Sequence, residues 1–185
     1  MDLPGPALGL LELESIARGM VVADALVKKA AVRISLAEAV TPGKYLLIFS
    51  GPVAEVEESF KAAELAGGAL VIDRLFLPQL SLGVARALDG RPDLMRPGES
   101  VGIVETHTVA SAIKAADTAA KRANVRLTRL HLAKGIGGKG YFTIAGSQAD
   151  VEAALEGAGS SIEPHLLVTT EIIERPHADL KGPVL

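Results

Sequence analysis

Apolar and polar positions follow two rhythms along this chain, and the two rhythms recur twice in the same order. A short apolar run, LGLLELE, precedes SIARGMVVADALVKKA, where apolar residues return at three- and four-residue intervals. The first predicts a strand and the second a helix with Ser15 as its N-cap. VRISLAEAV and YLLIFSG read as strands, PVAEVEESFKAAELAGG as an amphipathic helix stopped by glycines, and ALVIDRLFLP as a closing strand. The second half repeats the plan with VGIVET, a helix, VRLTRLHLA, YFTIAG, a helix and LLVTTEIIERP. The order β-α-β-β-α-β predicts an α+β fold, a small antiparallel sheet with both helices on one face.

The repeat is in register. Residues 7–34 lie over 100–127 at an offset of 93, so that Gly9 meets Gly102, Glu12 meets Glu105, Asp24 meets Asp117, Lys28 meets Lys121 and Arg33 meets Arg126. GKYLLIFSGPVAEVEES then lies over GKGYFTIAGSQADVEAA at an offset of 95. The second copy therefore carries two extra residues between its VRL and its GK. Between the copies, DGRPDLMRPGES is polar and rich in Pro and Gly, as a linker is. Two domains follow, residues 1–90 and 91–185.

The two extra residues belong to GIGGKG (135–140), a literal match to the dinucleotide fingerprint G-x-G-x-x-G. That fingerprint works between a strand and a helix, whose free N–H groups and dipole hold the pyrophosphate. Here the stretch joins two predicted strands, and a P-loop fails as well because no Ser or Thr follows Lys139. The pattern predicts a hairpin loop whose glycines allow positive φ and leave backbone N–H groups uncovered.

Composition narrows the function classes. There is no cysteine, which excludes disulfides, a thiol nucleophile and thiolate-held metals. A net charge of −3 and an aromatic content of 3% give little purchase on nucleic acid, whether by phosphate attraction or by base stacking. MDLPGPALGLLELES lacks a basic n-region and reads as no signal peptide, and no apolar stretch has the length of a membrane span. A cytoplasmic address is expected. The four histidines, at 107, 131, 165 and 177, show no metal-binding spacing, and no Ser, His and Asp set announces a catalytic triad. Glu12 and Glu105 repeat with the scaffold, which points to structure rather than acid–base work. Carboxylates such as Glu55 and Asp150 stand in first helical turns, where they complement the dipole.

Taken together, the G-[IL]-[VL]-E strand, the A-D-x-x-x-K-x-A-x-V helix end, the glycine-rich loop before a strand and the closing R-P-H at 175–177 resemble the bacterial microcompartment shell domain. Two such domains in one chain are similar to the tandem-domain shell proteins, whose trimers imitate the hexamers of single-domain relatives. TPGKYLLIFSG, SVGIVET and GIGGKGYFTIAG are nearest to members from propanediol-utilisation compartments.

The resemblance implies a non-catalytic homotrimer that tiles with other shell proteins in a microcompartment shell and passes small metabolites through a central pore. Nucleic acid and membrane are not expected partners. On that analogy the pore rim is Val40, Thr41, Pro42 and Gly43 from the first copy and Gly135, Ile136, Gly137 and Gly138 from the second. Lys28, Lys121, Arg175 and His177 would contact neighbouring tiles at the shell edge, although a lysine near a helix C-terminus is also favourable in itself. The first copy has Leu77-Pro78-Gln79 near the place of Arg175-Pro176-His177, so its edge differs.

In propanediol members a cysteine directly before P-G-K supplies a ligand to a [4Fe–4S] cluster on the axis. Thr41 occupies that position here, so no cofactor is expected. Three threonine hydroxyls with uncovered N–H groups would make a small polar opening that favours anions or neutral polar solutes. Two rival classes make different forecasts. A trimeric small-molecule-binding regulator of related α+β fold would stay a discrete trimer with ligand-dependent melting. An enzyme using GIGGKG on a phosphate would need a concave pocket with convergent polar groups.

Overall fold

A computed structural model of the chain describes residues 5–180. Two compact units emerge. The first spans the residues up to Leu80 together with Ala133–Gly138, and the second spans Ser81–Leu132 with the residues from Lys139 onward.

In the first unit, β1 (Ala7–Leu13) leads into α1 (Ile16–Lys29), β2 (Arg33–Val40), β3 (Lys44–Gly51), α2 (Val53–Gly67) and β4 (Val71–Leu77). Ser15 caps α1 by accepting the Arg18 N–H at 3.2 Å, and the helix ends on Lys28 and Lys29, cations suited to its C-terminus. α2 stops where Gly68 takes φ 54°, a left-handed turn that glycine enters at no steric cost. The sheet order is β2-β3-β1-β4, all antiparallel. That order is the ferredoxin-like arrangement, with the first and third strands at the centre and the second and fourth at the edges. The central strands are buried along almost their whole length and the edge strands only in part.

α1 and α2 pack on the sheet over a core that includes Leu11, Leu13, Val22, Leu26, Tyr45, Leu47, Phe49 and Val56. Burying such side chains stabilises the fold by about 1.5–3 kcal/mol each. The helices also meet through a polar contact, because the buried Ser59 hydroxyl donates to the Leu26 carbonyl at 2.9 Å. The repeated glycine of G-[IL]-[VL]-E has a packing reason. A Cβ on Gly9 would lie 2.3 Å from the ring of Phe49, its cross-strand partner.

The second unit opens with a helix that the apolar pattern does not predict, α3 (Leu82–Leu88), capped by Ser81. It continues with β5 (Ser100–Thr106), α4 (Val109–Arg122), β6 (Arg126–Leu132), β7 (Gly140–Gly146), α5 (Gln148–Ser161) and β8 (Leu167–Ile173). Its sheet has the matching order β6-β7-β5-β8. α3 packs against α4 and β6. The linker that follows is also held to β6. The Asp93 N–H donates to the Leu127 carbonyl at 2.9 Å, and the Arg126 guanidinium bonds both the Leu94 carbonyl and the Glu99 carboxylate.

Candidate functional site

The two hairpin loops are built by the same strand pair in each repeat. In the first, β2 and β3 pair through Val40 and Lys44, and the Gly43 N–H closes the turn on the Val40 carbonyl at 2.8 Å. Val40 is buried, whereas Thr41, Pro42 and Gly43 are exposed. In the second, β6 and β7 pair through Leu132 and Gly140, and residues 133–139 form the longer loop. Gly135, Gly137 and Gly138 take φ of 73°, 66° and 80°. GIGGKG is therefore a strand-to-strand loop that needs positive φ, and no helix begins there to meet a phosphate.

These loops stand about 95 positions apart in sequence, yet residues 133–138 belong to the first compact unit. A Cβ on Gly138 would lie 2.9 Å from the Thr41 carbonyl oxygen and 3.0 Å from Pro42 Cδ. Lys134 pairs with Glu38 of β2 at 3.0 Å. All eight residues singled out for a pore rim are thus in one unit, with Gly138 seated against Thr41 and Pro42.

Each loop stands on a lysine–glutamate pair. Lys44 Nζ lies 3.3 Å from Glu12 Oε2, and Lys139 Nζ lies 2.8 Å from Glu105 Oε1. Lys44 directly follows its loop and Lys139 is the last residue of its own, and both glutamates lie on the first strand of their repeat. The repeated glutamates thus have a structural use: each holds the cation at the foot of a loop. The lysines were missed as site residues, although G-K recurs in both copies in step with Glu12 and Glu105. The foot of the second loop is stiffened further by His131, stacked on Tyr141 at 5.2 Å, and by Arg129 donating to the Tyr141 hydroxyl at 3.4 Å.

The residues singled out for tile edges belong to α1, α4 and the segment after β8. Lys28 pairs with Asp24 at 2.6 Å and remains 73% exposed. Lys121 pairs with Asp117 at 2.5 Å. Asp117 is buried and also accepts the Ser81 N–H at 2.7 Å, so the two repeat-related lysines have different neighbours. Arg175 and His177 are exposed beyond β8, Arg175 with φ 49°, and His177 contacts Asp179 at 3.4 Å.

Chemically, the loops offer a hydroxyl, backbone groups and paired charges. Among the described residues no group of three or more His, Cys, Asp or Glu stands together as a metal would require. An iron–sulfur cluster is normally held by thiolates, and the loop presents Thr41 in a chain without cysteine, so its donor set does not fit such a cluster.

Comparison with known proteins agrees with this architecture. The family description "BMC domain" matches residues 7–80 and again 100–176. The chain is 41% identical over 175 residues to the bacterial microcompartment shell protein PduT of Citrobacter freundii, covering 94% of this chain and 95% of that one. A crystal structure of a microcompartment protein from Desulfitobacterium hafniense superposes with a TM-score of 0.83 at 38% identity, covering 94% of this chain and 97% of that one. A fused permuted hexameric shell protein from the RMM microcompartment gives a TM-score of 0.63 at 24% identity, covering 83% and 79%, a likeness of fold alone. With two matched domains in tandem and this relationship to PduT, the chain belongs to the BMC-domain family of bacterial microcompartment shell proteins.

Proposed function

We propose that the chain acts as a trimeric tile of the microcompartment shell, with the loops at Val40–Gly43 and Gly135–Gly138 lining a pore on the three-fold axis. The family role is structural, and the shell is its place. Among the described residues no helix is long and apolar enough to cross a membrane. The observation that carries the pore reading is the seating of Gly138 against Thr41, which brings both copies' loops into one unit. Three chains would then present six loops around one axis. The repeats themselves run over 1–90 and 91–185, so α3 is the trailing helix of the first repeat, lying on the second.

Solute selection follows from the lining. Lys44, Lys134 and Lys139 are each paired with a glutamate, so the rim carries little net charge from them. Backbone groups and the Thr41 hydroxyl are left to meet a small polar or anionic solute. Lys28, Lys121, Arg175 and His177 serve the contacts between tiles in this reading, and no catalytic step is assigned to the chain.

Native mass and electron microscopy test the proposal together. Three chains of 19.1 kDa give 3 × 19.1 kDa, about 57 kDa, and concentrated protein is expected to form sheets or tubes. Lys28→Ala combined with Lys121→Ala should leave the trimer intact and weaken the sheets. A stable monomer, or sheets indifferent to both lysines, would contradict the reading.

A further inference from the structure

Charged pairs around the loops are of two kinds, repeated and unrepeated. Lys44–Glu12 and Lys139–Glu105 stand at matching places in the two copies, so they belong to the repeated scaffold. A third pair has no such match. Lys134 Nζ lies 3.0 Å from Glu38 Oε1, and both residues are in the first compact unit. Glu38 is the cross-strand partner of Leu46, and the residue at the matching place is the cross-strand partner of Tyr141. That residue is His131, stacked on the Tyr141 ring. Lys134 has no counterpart. Between Val40 and Lys44 the first copy holds Thr41-Pro42-Gly43, and between Ala133 and Lys139 the second holds residues 134–138. Acid and base therefore meet only where the longer loop brings in a charge.

The pair also stands beside both stretches assigned to the rim. Lys134 directly precedes Gly135, and Glu38 lies two residues before Val40. Thr41, Pro42, Gly43 and residues 135–138 carry no charged side chain. Lys134 is 67% exposed and Glu38 30%, so water reaches both charges, whereas Glu12 is buried. A ring of ammonium groups at a narrow opening attracts anions and turns cations away. With a carboxylate 3.0 Å from each ammonium, the field at a distance falls to that of a short dipole.

We propose that Glu38 sets the class of solute the opening accepts. Paired with Lys134, it keeps the rim neutral, so that small uncharged polar molecules are taken in preference to ions of either sign. Without the carboxylate, three ammonium groups surround the axis and the opening becomes anion-selective. Without the ammonium, three carboxylates surround it and the opening becomes cation-selective. The inference rests on the pore reading above and narrows it from polar and anionic solutes to uncharged ones.

Crystals of four proteins test it: the full chain, Glu38→Gln, Lys134→Gln and the double variant. Each is soaked at one subsaturating concentration of bromide or of caesium, and the ions are located by anomalous diffraction. Both side chains reach water, so the variants are expected to keep a native circular dichroism spectrum. Relative to the full chain, axial bromide density should rise several-fold in Glu38→Gln, and axial caesium density should rise several-fold in Lys134→Gln. The double variant should return to the full chain's level of both ions. A merely structural tether would not behave so, because cutting its second end mends nothing. The single variants carry opposite signs, so either decides if the other fails to fold. Crystals in which Lys134 lies away from the three-fold axis would overturn the pore reading and this inference with it. Loops on the axis with equal ion densities in all four proteins would overturn the role of Glu38 alone, as would a double variant that keeps the bromide of Glu38→Gln.

Discussion

Removing the lysine beneath each loop is expected to have unequal effects at two positions that the repeat makes equivalent. Glu12 is only 2% exposed at its side chain and Lys44 18%, whereas Glu105 and Lys139 are 34% and 41% exposed. Distance alone would rank them the other way, because the Lys44 pair is 3.3 Å apart and the Lys139 pair 2.8 Å. Solvent decides. Taking the cation from a buried carboxylate costs about 3 kcal/mol, since little water reaches the charge left behind. A screened pair near the surface contributes about 0–1 kcal/mol. For a chain of this length, about 3 kcal/mol corresponds to a fall in Tm of roughly 6–12 °C. Lys44→Met should therefore melt well below the parent and Lys139→Met within about 3 °C of it. Thermal melts followed by circular dichroism, with urea titrations for free energies, give both numbers. Adding Glu12→Met to Lys44→Met should recover much of the loss, because an apolar pair replaces a buried ionic one. Equal effects of the two lysine changes would refute the argument that burial sets their cost.

Other consequences can be measured on the same preparations. Gly138→Ala forces a Cβ into a left-handed residue and against the Thr41 carbonyl, so it should cost about 2–3 kcal/mol. Gly135→Ala, equally left-handed but with open space around it, should cost only about 1 kcal/mol in urea unfolding. Stability should also fall in acid through Glu99. Burial pushes that carboxyl up, but hydrogen bonds from the Arg126 guanidinium and the Arg96 N–H outweigh it and hold its pKa below the ordinary value. The folded carboxyl thus holds its proton less tightly than the unfolded one. Its contribution is complete above the ordinary carboxylate pKa of 4.5 and is lost as pH drops through the lowered value. Glu99→Gln should flatten that part of the acid limb in unfolding curves taken against pH.

Where local pattern governed structure, the sequence could be read closely. Periodicity placed the strands and helices of both sheets, Ser15 marked the start of α1, and the double glycine marked the end of α2. GIGGKG was legible as a hairpin loop because the stretches on both sides of it read as strands. Three features were not legible. α3 is short, contains Gly83 and buries only Val84, so it leaves no amphipathic period to find. The grouping of residues 133–138 with the first unit depends on contacts between distant segments, which no local pattern encodes. The lysine–glutamate pairs lay between these cases: Glu12 and Lys44 move together with Glu105 and Lys139 through the repeat, and that joint recurrence was the available signal. The different burial of the two pairs was not available, because it belongs to the tertiary structure.

In the proposed tile, both loops of three chains surround one axis. A density map of the assembled layer, from two-dimensional sheets by electron crystallography or from averaged particles, tests it most directly. The map is expected to show three-fold symmetry with an opening on the axis, Thr41 at its rim and Gly135–Gly138 beside it. A layer in which Thr41 lies at the periphery of the tile, or an axis closed by other segments, would contradict it.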